Sequence, residues 1–314
     1  MITSVVVFAI AVNLDFVLPR LVPGNFAVVF SGGHILPQQT IALIEARFGL
    51  NRPEYVQYLI YLKNIFTNWP PFFGYSFEYY PVTVSALIAS RAPWTVLLVG
   101  VSYFASLGLS YTLAGLSSIR RGGKLELASL YSSIVFWSIP AFWFGMVAIW
   151  FFGVTLAVLP ISGTGSVVAG GVAALTSVFR HALLPAVVLT LVMFGWEYVI
   201  LRGSAQEALE SDYIFAARAR GIRERVIAFK YVMRNSILPI ISLTGYAIAA
   251  LVSAVIFVEY VFSYAGLGDL LVDGITSRDY PVVEGVFFYI TLFVIVLTLL
   301  GDYMLVRMDP RLRR

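Results

Sequence analysis

The chain has 314 residues, of which 60% are hydrophobic and 12% charged, with a net charge of +4 and no cysteine. A soluble domain is about 25% charged, so this composition excludes an ordinary soluble protein. The missing cysteines exclude disulfides, thiol catalysis and cysteine-ligated metals. Apolar runs close to the ~20 residues that cross a bilayer predict an all-α integral membrane protein with six transmembrane helices.

The first predicted span covers residues 2–22 and contains two polar side chains, Asn13 and Asp15. Its apolar start has neither a basic region nor a small-residue cleavage site, so we expect a retained span and not a signal peptide. A polar residue inside a span usually faces protein or water, which makes Asn13 and Asp15 candidates for a pathway. The alternative is that this end of the helix lies at the membrane interface. Residues 24–92 are too polar to cross the bilayer and contain helical patterns at 39–48 and 53–66.

Five more spans are predicted, at residues 93–116, 127–154, 181–201, 237–258 and 282–305. The loop at 117–126 carries a net charge of +2, the segment 202–236 a net charge of +3, and the loop at 259–281 a net charge of −3. Basic loops mark the cytoplasmic side of a membrane protein. We therefore expect one transmembrane domain over residues 1–314 of a multi-pass protein of the plasma or inner membrane. The segment 202–236 and both termini would be cytoplasmic, and 24–92 would be an extracytoplasmic insert.

Two further charges lie inside spans, Glu197 in the fourth and Asp302 in the sixth. Such residues usually face a helix bundle or a water path, so both are pathway candidates. Alternatively, each pairs with a neighbouring cation, Arg202 or Arg307. The two histidines have neither metal-ligand spacing nor an obvious carboxylate partner, so we predict no metal site and no catalytic residue on this chain.

The segment 202–236 is the longest strongly charged run in the sequence. A helical pattern extends over 201–219 and is rich in alanine, which allows another surface to approach closely. Gly221 then interrupts the pattern, since glycine adopts the positive φ that ends many helices. A second helix is predicted from about Arg223. The alternative to this helix–turn–helix is a solvated loop whose basic residues serve only topology.

Residues 215–221 (FAARARG) and 234–239 (RNSILP) carry a resemblance to a known family. They resemble the EAA loop of ABC-importer membrane subunits, and that of the dipeptide/oligopeptide permease family in particular. Matches elsewhere, at residues 23–24, 48–53, 139–143, 183–186, 262–268, 278–283 and 309–311, extend the resemblance over nearly the whole chain. Two positions depart from the family pattern. Phe215 stands where the acidic residue of the motif would be, and Tyr231 stands where a histidine is common.

The resemblance implies a coupling helix near Gly221 that sits in a groove of a cytoplasmic ATPase. The implied coupling residues are Ala216, Ala217, Arg218, Ala219, Arg220, Gly221, Arg223 and Arg225, with Arg120 and Lys124 as a second contact. On the other side, Gly266, Gly268, Asp269 and Asp279 would meet a substrate-binding protein or form a gate. The implied partners are a second homologous permease subunit, two ABC ATPases, the binding protein and the lipid bilayer. Nucleic acid is not among them.

The chain has no phosphate-binding loop of the form G-x-x-x-x-G-K-[ST], so ATP and Mg²⁺ would be bound by the ATPase subunits and this chain would carry no cofactor. The resemblance thus implies a permease subunit, not an enzyme, that forms half of a pathway for peptides. The same importer type carrying oligosaccharides or nickel stays open, although the two histidines argue against nickel. A different class, an ion-coupled secondary transporter, would show inverted repeats and central charged sites. A membrane enzyme would need a cluster of catalytic residues.

Overall fold

The computed structural model of the protein describes residues 2–21, 38–68, 70–165 and 170–308. Within these ranges the chain is helical and contains no strand beyond an isolated β-bridge between Tyr75 and Thr83. Five of the described helices are long and apolar enough to cross a membrane, and a bent pair brings the number to six. The predicted all-α membrane fold is therefore confirmed. The motif residues at 23–24 and 309–311 lie outside the described residues.

The helices are numbered here in chain order. They are α1 (Ile2–Leu21), α2 (Gln38–Phe48), α3 (Glu54–Thr67), α4 (Val84–Ile119), α5 (Lys124–Ser138), α6 (Ala141–Ala148), α7 (Gly171–Leu209), α8 (Asp212–Ala219), α9 (224–236), α10 (Leu238–Ser242), α11 (Thr244–Val261), α12 (Leu267–Thr276) and α13 (Tyr280–Met308). A π-helical turn at Ile149–Thr155 extends α6, and another at Ile227–Val232 forms the middle of α9.

The third predicted span is not one straight helix, because α5 and the α6 segment Ala141–Thr155 are bent by 102°. The bend lies at Ile139 and Pro140. Ile139 is extended, with φ −91° and ψ 126°, as the residue before a proline is when the pyrrolidine ring disfavours the helical region. The apolar run alone conceals this break.

The helix predicted continuously over 201–219 is also interrupted. Helix α7 continues to Leu209, and α8 begins only at Asp212, after an extended Ser211 with ψ 148°. The Ser211 hydroxyl donates to the Ala208 carbonyl at the end of α7 and makes no capping bond to α8, whereas Asp212 in the first turn is stabilised by the positive end of the helix dipole. The dipeptide Ser211-Asp212 thus starts a new helix where hydrophobic periodicity indicates continuation.

The chain divides into two compact units. The first comprises Met1–Thr95 and Ala265–Ile295, and the second Val96–Tyr264 and Val296–Arg314. In the second unit, α5 and α7 approach closely at Gly195. A Cβ atom there would lie 2.4 Å from the Ser133 carbonyl oxygen and 2.7 Å from the Trp137 Cβ atom. Small residues permit such close approach between membrane helices.

Candidate functional site

The charged segment 202–236 folds as a helical hairpin whose turn is at Gly221. Helix α8 ends at Ala219, and Gly221 has a φ of +71°, so the sequence prediction of a glycine turn is confirmed. The Gly221 amide donates to the Arg218 carbonyl at 2.9 Å, and the Ile222 amide donates to the Ala217 carbonyl at 3.3 Å. These bonds satisfy carbonyls at the helix end that would otherwise lack a partner. Helix α9 begins after this turn and forms the second helix of the hairpin.

One face of α8 is buried in the second unit. Ile214 and Ala217 join a cluster of buried residues that also includes Leu201 of α7 and Ile227 and Met233 of α9. Ala217, a member of the predicted coupling set, therefore packs in the core and is not available to a partner. Only the opposite face of α8 is open to a partner.

The opposite face of α8 is exposed and partly apolar. Phe215 is 77% exposed, and Ala216 and Ala219 lie beside it on the surface. The basic members of the predicted coupling set, Arg218, Arg220, Arg223 and Arg225, are exposed as well, as is Gly221. The hairpin therefore presents an exposed surface of Phe215 and alanines that is bordered by arginines.

Arg218 already has an internal partner. Its Nε and Nη2 atoms donate to the two carboxylate oxygens of Glu224 at 3.0 and 3.3 Å. The pair joins the end of α8 to the start of α9 across the Gly221 turn. Both side chains are nearly half exposed, so the pair contributes little stability but does orient the turn.

The second predicted contact, the loop between α4 and α5, exposes Arg120 and Lys124. Beside them, Glu126 is buried, and its carboxylate binds Arg202 and Gln206 of α7. In the sequence, Glu126 contributes only one charge to the loop, and Arg202 is the alternative partner expected for Glu197. That pairing is wrong, because Arg202 binds Glu126.

Glu197 lies in the interior of the second unit. Its side chain is fully buried and accepts hydrogen bonds from the hydroxyls of Ser106 and Ser110, both on α4. One carboxylate oxygen, Oε1, has no hydrogen-bond partner. The three buried side chains tie α4 to α7, whereas Asp302, the other charge predicted on this pattern, is exposed.

The polar residues of α1 differ in their surroundings within the first unit. Asn13 is exposed, and its Oδ1 atom accepts a hydrogen bond of 2.6 Å from the Tyr58 hydroxyl. Asp15 is buried, and its Oδ2 atom has no hydrogen-bond partner. One turn further on, Arg20 forms an ion pair with Glu284 of α13 that sequence reasoning missed, because the two residues are distant in the chain.

Arg20 and Glu284 line a cavity of about 370 Å³ in the first unit. Its lining mixes aromatic residues with polar ones, among them Arg52 and Gln57. The cavity is formed by α1, the 46–77 region and the start of α13.

The residues predicted to face a binding protein or gate also belong to the first unit. Gly266 precedes α12, and the Leu267 amide next to it donates to the Thr95 hydroxyl at 2.7 Å. Gly268 is buried in the first turn of α12. Asp269 pairs with Arg91 at 3.1 Å. Burial raises the pKa of the Asp269 carboxyl, Asp273 adds to the rise, and Arg91 opposes it.

Asp279 is buried and has a structural role in the first unit. Its carboxylate accepts hydrogen bonds from the Ser76 hydroxyl and from the amides of Phe77 and Glu78, the latter two at 2.8 and 3.1 Å. Burial raises the pKa of the Asp279 carboxyl, although these bonds oppose the rise. With 1% exposure, Asp279 fastens the 76–78 loop to the start of α13 and offers no surface to a partner.

The chain resembles known proteins over almost its whole length. A family model described as "Binding-protein-dependent transport system inner membrane component" matches residues 106–314, and a model of the corresponding N-terminal part matches residues 1–99. The chain is 33% identical over 305 residues to the oligopeptide transport system permease protein AppB of Bacillus subtilis, which covers 95% of this chain and 93% of that protein. It is 30% identical over 304 residues to the oligopeptide transport system permease protein OppB of Haemophilus influenzae, covering 97% and 94% of the two chains. It is 29% identical over 302 residues to the dipeptide transport system permease protein DppB of Lactococcus lactis, covering 96% and 93%.

Proposed function

Because the chain belongs to the family of binding-protein-dependent transport system inner membrane components, we propose that it is the permease subunit of an ATP-driven importer of peptides. This proposal rests on the similarity to permease proteins named for oligopeptides and dipeptides, which covers 93% or more of the length of each of those proteins. None of these three names favours oligosaccharides, nickel or an ion-coupled carrier. The chain contributes transport and not catalysis, as a permease subunit does.

We propose that ATP is hydrolysed on separate ATPase subunits and that α8 is the element that docks on them. The exposed face of α8 supports this proposal, because Phe215 leaves an aromatic ring in solvent unless a partner covers it. Ala216 and Ala219 beside it permit close approach. An apolar contact would then take the place of the acidic side chain that the motif has at this position. The surrounding arginines suit carboxylates on the partner.

The remaining assembly is proposed on the same basis. A second permease chain would complete the pathway, and a binding protein would deliver the peptide on the side opposite to α8. The basic charge of 117–126 and 202–236 supports a cytoplasmic position for both segments and both termini. Asp269 and Gly266 remain candidates for the opposite side.

The proposal is tested by uptake of a labelled dipeptide and a labelled oligopeptide into proteoliposomes that contain the complete complex. We expect uptake that requires enclosed ATP and that unlabelled peptide suppresses. Excess oligosaccharide or Ni²⁺ should leave uptake unchanged. Uptake driven by an ion gradient without ATP would contradict an ATP-driven importer. Suppression of uptake by oligosaccharide would contradict peptides as the substrate class.

The docking role of the turn is tested by substitution at Gly221. A Cβ atom there meets nothing within 4 Å, so only the positive φ penalises a side chain, by roughly 1–2 kcal/mol. Gly221→Val should therefore lower ATP-coupled uptake by about 5–30-fold, and Gly221→Asn, which tolerates this conformation, should retain most of it. Gly203→Ala is the matched control, since Gly203 is exposed and open but lies within helix α7. Wild-type uptake by Gly221→Val would refute a docking role for this turn.

A further inference from the structure

Glu126 binds two separate segments of the second unit at once. Its Oε1 atom accepts hydrogen bonds from Arg202 Nε at 2.8 Å and Gln206 Nε2 at 2.8 Å, and Arg202 Nη2 lies 2.6 Å away. Its Oε2 atom accepts a bond of 2.5 Å from the Gly122 amide. One oxygen thus faces α7, and the other faces the loop between α4 and α5.

The burial of Glu126 raises the free-energy cost of breaking these contacts. The side chain is 4% exposed, while Arg202 is 26% exposed. Hydrogen bonds that involve an ionised group are about twice as strong as neutral ones, and the loss of one partner leaves a buried charge unsatisfied. The clasp, defined here as Glu126, Arg202, Gln206 and the Gly122 amide, is therefore costly to open.

Neighbouring bonds reinforce the clasp from α4. The Tyr198 hydroxyl lies 3.0 Å from the Ser117 hydroxyl and 3.4 Å from the Glu126 carbonyl oxygen. Tyr198 is fully buried. The end of α4, the loop and the start of α5 are thereby held to the same stretch of α7.

In sequence, the clasp adjoins both the second contact expected at Arg120 and Lys124 and the proposed docking helix α8. Gly122 is between Arg120 and Lys124, and Gln206 precedes the first residue of α8, Asp212, by six positions. Helix α8 is itself fixed to α7 through the buried cluster that contains Ile214 and Ala205. A displacement applied to α8 therefore reaches the clasp through packed side chains.

We infer that Glu126 is a positioning residue that makes the basic loop and the coupling hairpin move as one body. Force received by α8 is then passed to α4 and α5 as well as to α7. The inference deepens the proposed function and rests on it for its meaning in transport, but the rigidity itself is a property of this chain alone.

The chain offers a matched control on the same two segments. Arg121 Nη2 lies 3.0 Å from Glu210 Oε1, and these side chains are 55% and 67% exposed. Exposed pairs contribute little to stability, because solvent screens them. Arg121→Ala removes this exposed link and leaves the buried clasp intact.

Glu126→Gln is the sharpest perturbation of the clasp. The amide has nearly the same shape as the carboxylate but only one acceptor oxygen, and its NH₂ group would face either the Gly122 amide or the donors of α7. Glu126→Gln therefore keeps the volume and breaks one side of the bridge. Glu126→Asp retains both acceptor oxygens on a shorter stem and tests rescue.

The first measurement is a distance distribution between spin labels in the purified full chain in nanodiscs. The sequence has no cysteine, so Arg120→Cys and Phe215→Cys place two labels without background. We expect one narrow distribution for the chain with native Glu126 and for Arg121→Ala, and a broadened one for Glu126→Gln and Glu126→Ala. An unchanged distribution in both Glu126 variants overturns the inference, as does equal broadening by Arg121→Ala.

The second measurement is the amount of labelled peptide taken up per ATP hydrolysed by the complete complex. Loss of about 1 kcal/mol of hydrogen bonding corresponds to roughly a fivefold change in a population, so Glu126→Gln should lower this ratio about fivefold. Glu126→Asp should recover part of the loss, and Arg121→Ala should leave the ratio unchanged. A merely structural defect would reduce assembled complex and lower uptake and hydrolysis together. Absence of peptide uptake with native Glu126 would refute the proposed function and leave the label result standing.

Discussion

The Arg20–Glu284 pair permits a quantitative prediction about the first unit. Arg20 Nη1 donates to Glu284 and, at 2.6 Å, to the Phe16 carbonyl, and the guanidinium lies 3.5 Å from the centre of the Phe16 ring. The side chains of Arg20 and Glu284 are 19% and 8% exposed. The arginine is thus the group that makes a buried acid tolerable.

Arg20→Met should cost about 3–5 kcal/mol, because it leaves Glu284 buried and unpaired. Glu284→Gln should cost less, because the glutamine is neutral and Arg20 keeps the Phe16 carbonyl and ring. The double variant Arg20→Met/Glu284→Gln should be more stable than Arg20→Met alone, since no uncompensated charge remains at this pair.

The assay is thermal unfolding of the purified chain in detergent at fixed pH. Arg20→Met is expected to lower the Tm by at least about 5 °C, and the double variant should regain part of that loss. Arg52→Met, which removes an exposed cation from the lining of the same cavity, is the control and should lie close to wild type. Strict additivity of the two single variants, or a larger loss for Glu284→Gln than for Arg20→Met, would refute the reasoning.

Three further predictions concern packing, pH and catalysis. Gly195→Ala should destabilise the chain by about 1–3 kcal/mol, because its Cβ atom would overlap Ser133 and Trp137. Gly108→Ala is the control and should be neutral or stabilising, because a Cβ atom at residue 108 meets nothing within 4 Å. Thermal unfolding compares the two variants, and equal stability would contradict the close approach of α5 and α7. The folded chain holds a proton on Asp269 to higher pH than the unfolded chain, so the wild type loses stability relative to the permanently neutral Asp269→Asn as pH rises through the raised pKa. The Tm of the wild type minus the Tm of Asp269→Asn should therefore rise as pH falls from neutrality toward 3.8, and a constant difference would contradict the raised pKa. The purified chain alone should not hydrolyse ATP, and turnover that survives removal of trace ATPase subunits would contradict the proposed division of labour.

Local features of the fold could be read from the sequence, because their causes lie within a few residues. The Gly221 turn needs only a residue that accepts a positive φ, and the structure has φ +71° there. The break at Ser211 was missed although its signal was local. Alanine-rich periodicity outweighed the serine–aspartate start signal in the prediction.

The roles of most charged residues required the tertiary structure. Asp279 and Asp269 both belong to an acidic loop in the sequence, yet one is buried beneath the 76–78 loop and the other pairs with Arg91. Similarly, alanines 216, 217 and 219 are equivalent by composition, but only Ala217 faces the core. Their assignment depends on which face of α8 meets α7 and α9.

The sequence by itself determined the class of the protein, the number of candidate membrane spans, the charge asymmetry and the family, because hydropathy, helix period and motif residues are properties of short stretches. Only the tertiary structure decided that α5 and α6 bend by 102°, that Arg202 binds Glu126, and that Glu197 is held by serines of α4. The two carboxylate contacts join residues 76 and 91 positions apart, and no local pattern records which of several cations or hydroxyls a buried carboxylate will meet. The partner is chosen by helix packing, and a carboxylate removed from water must bond to the donors that the packing brings to it.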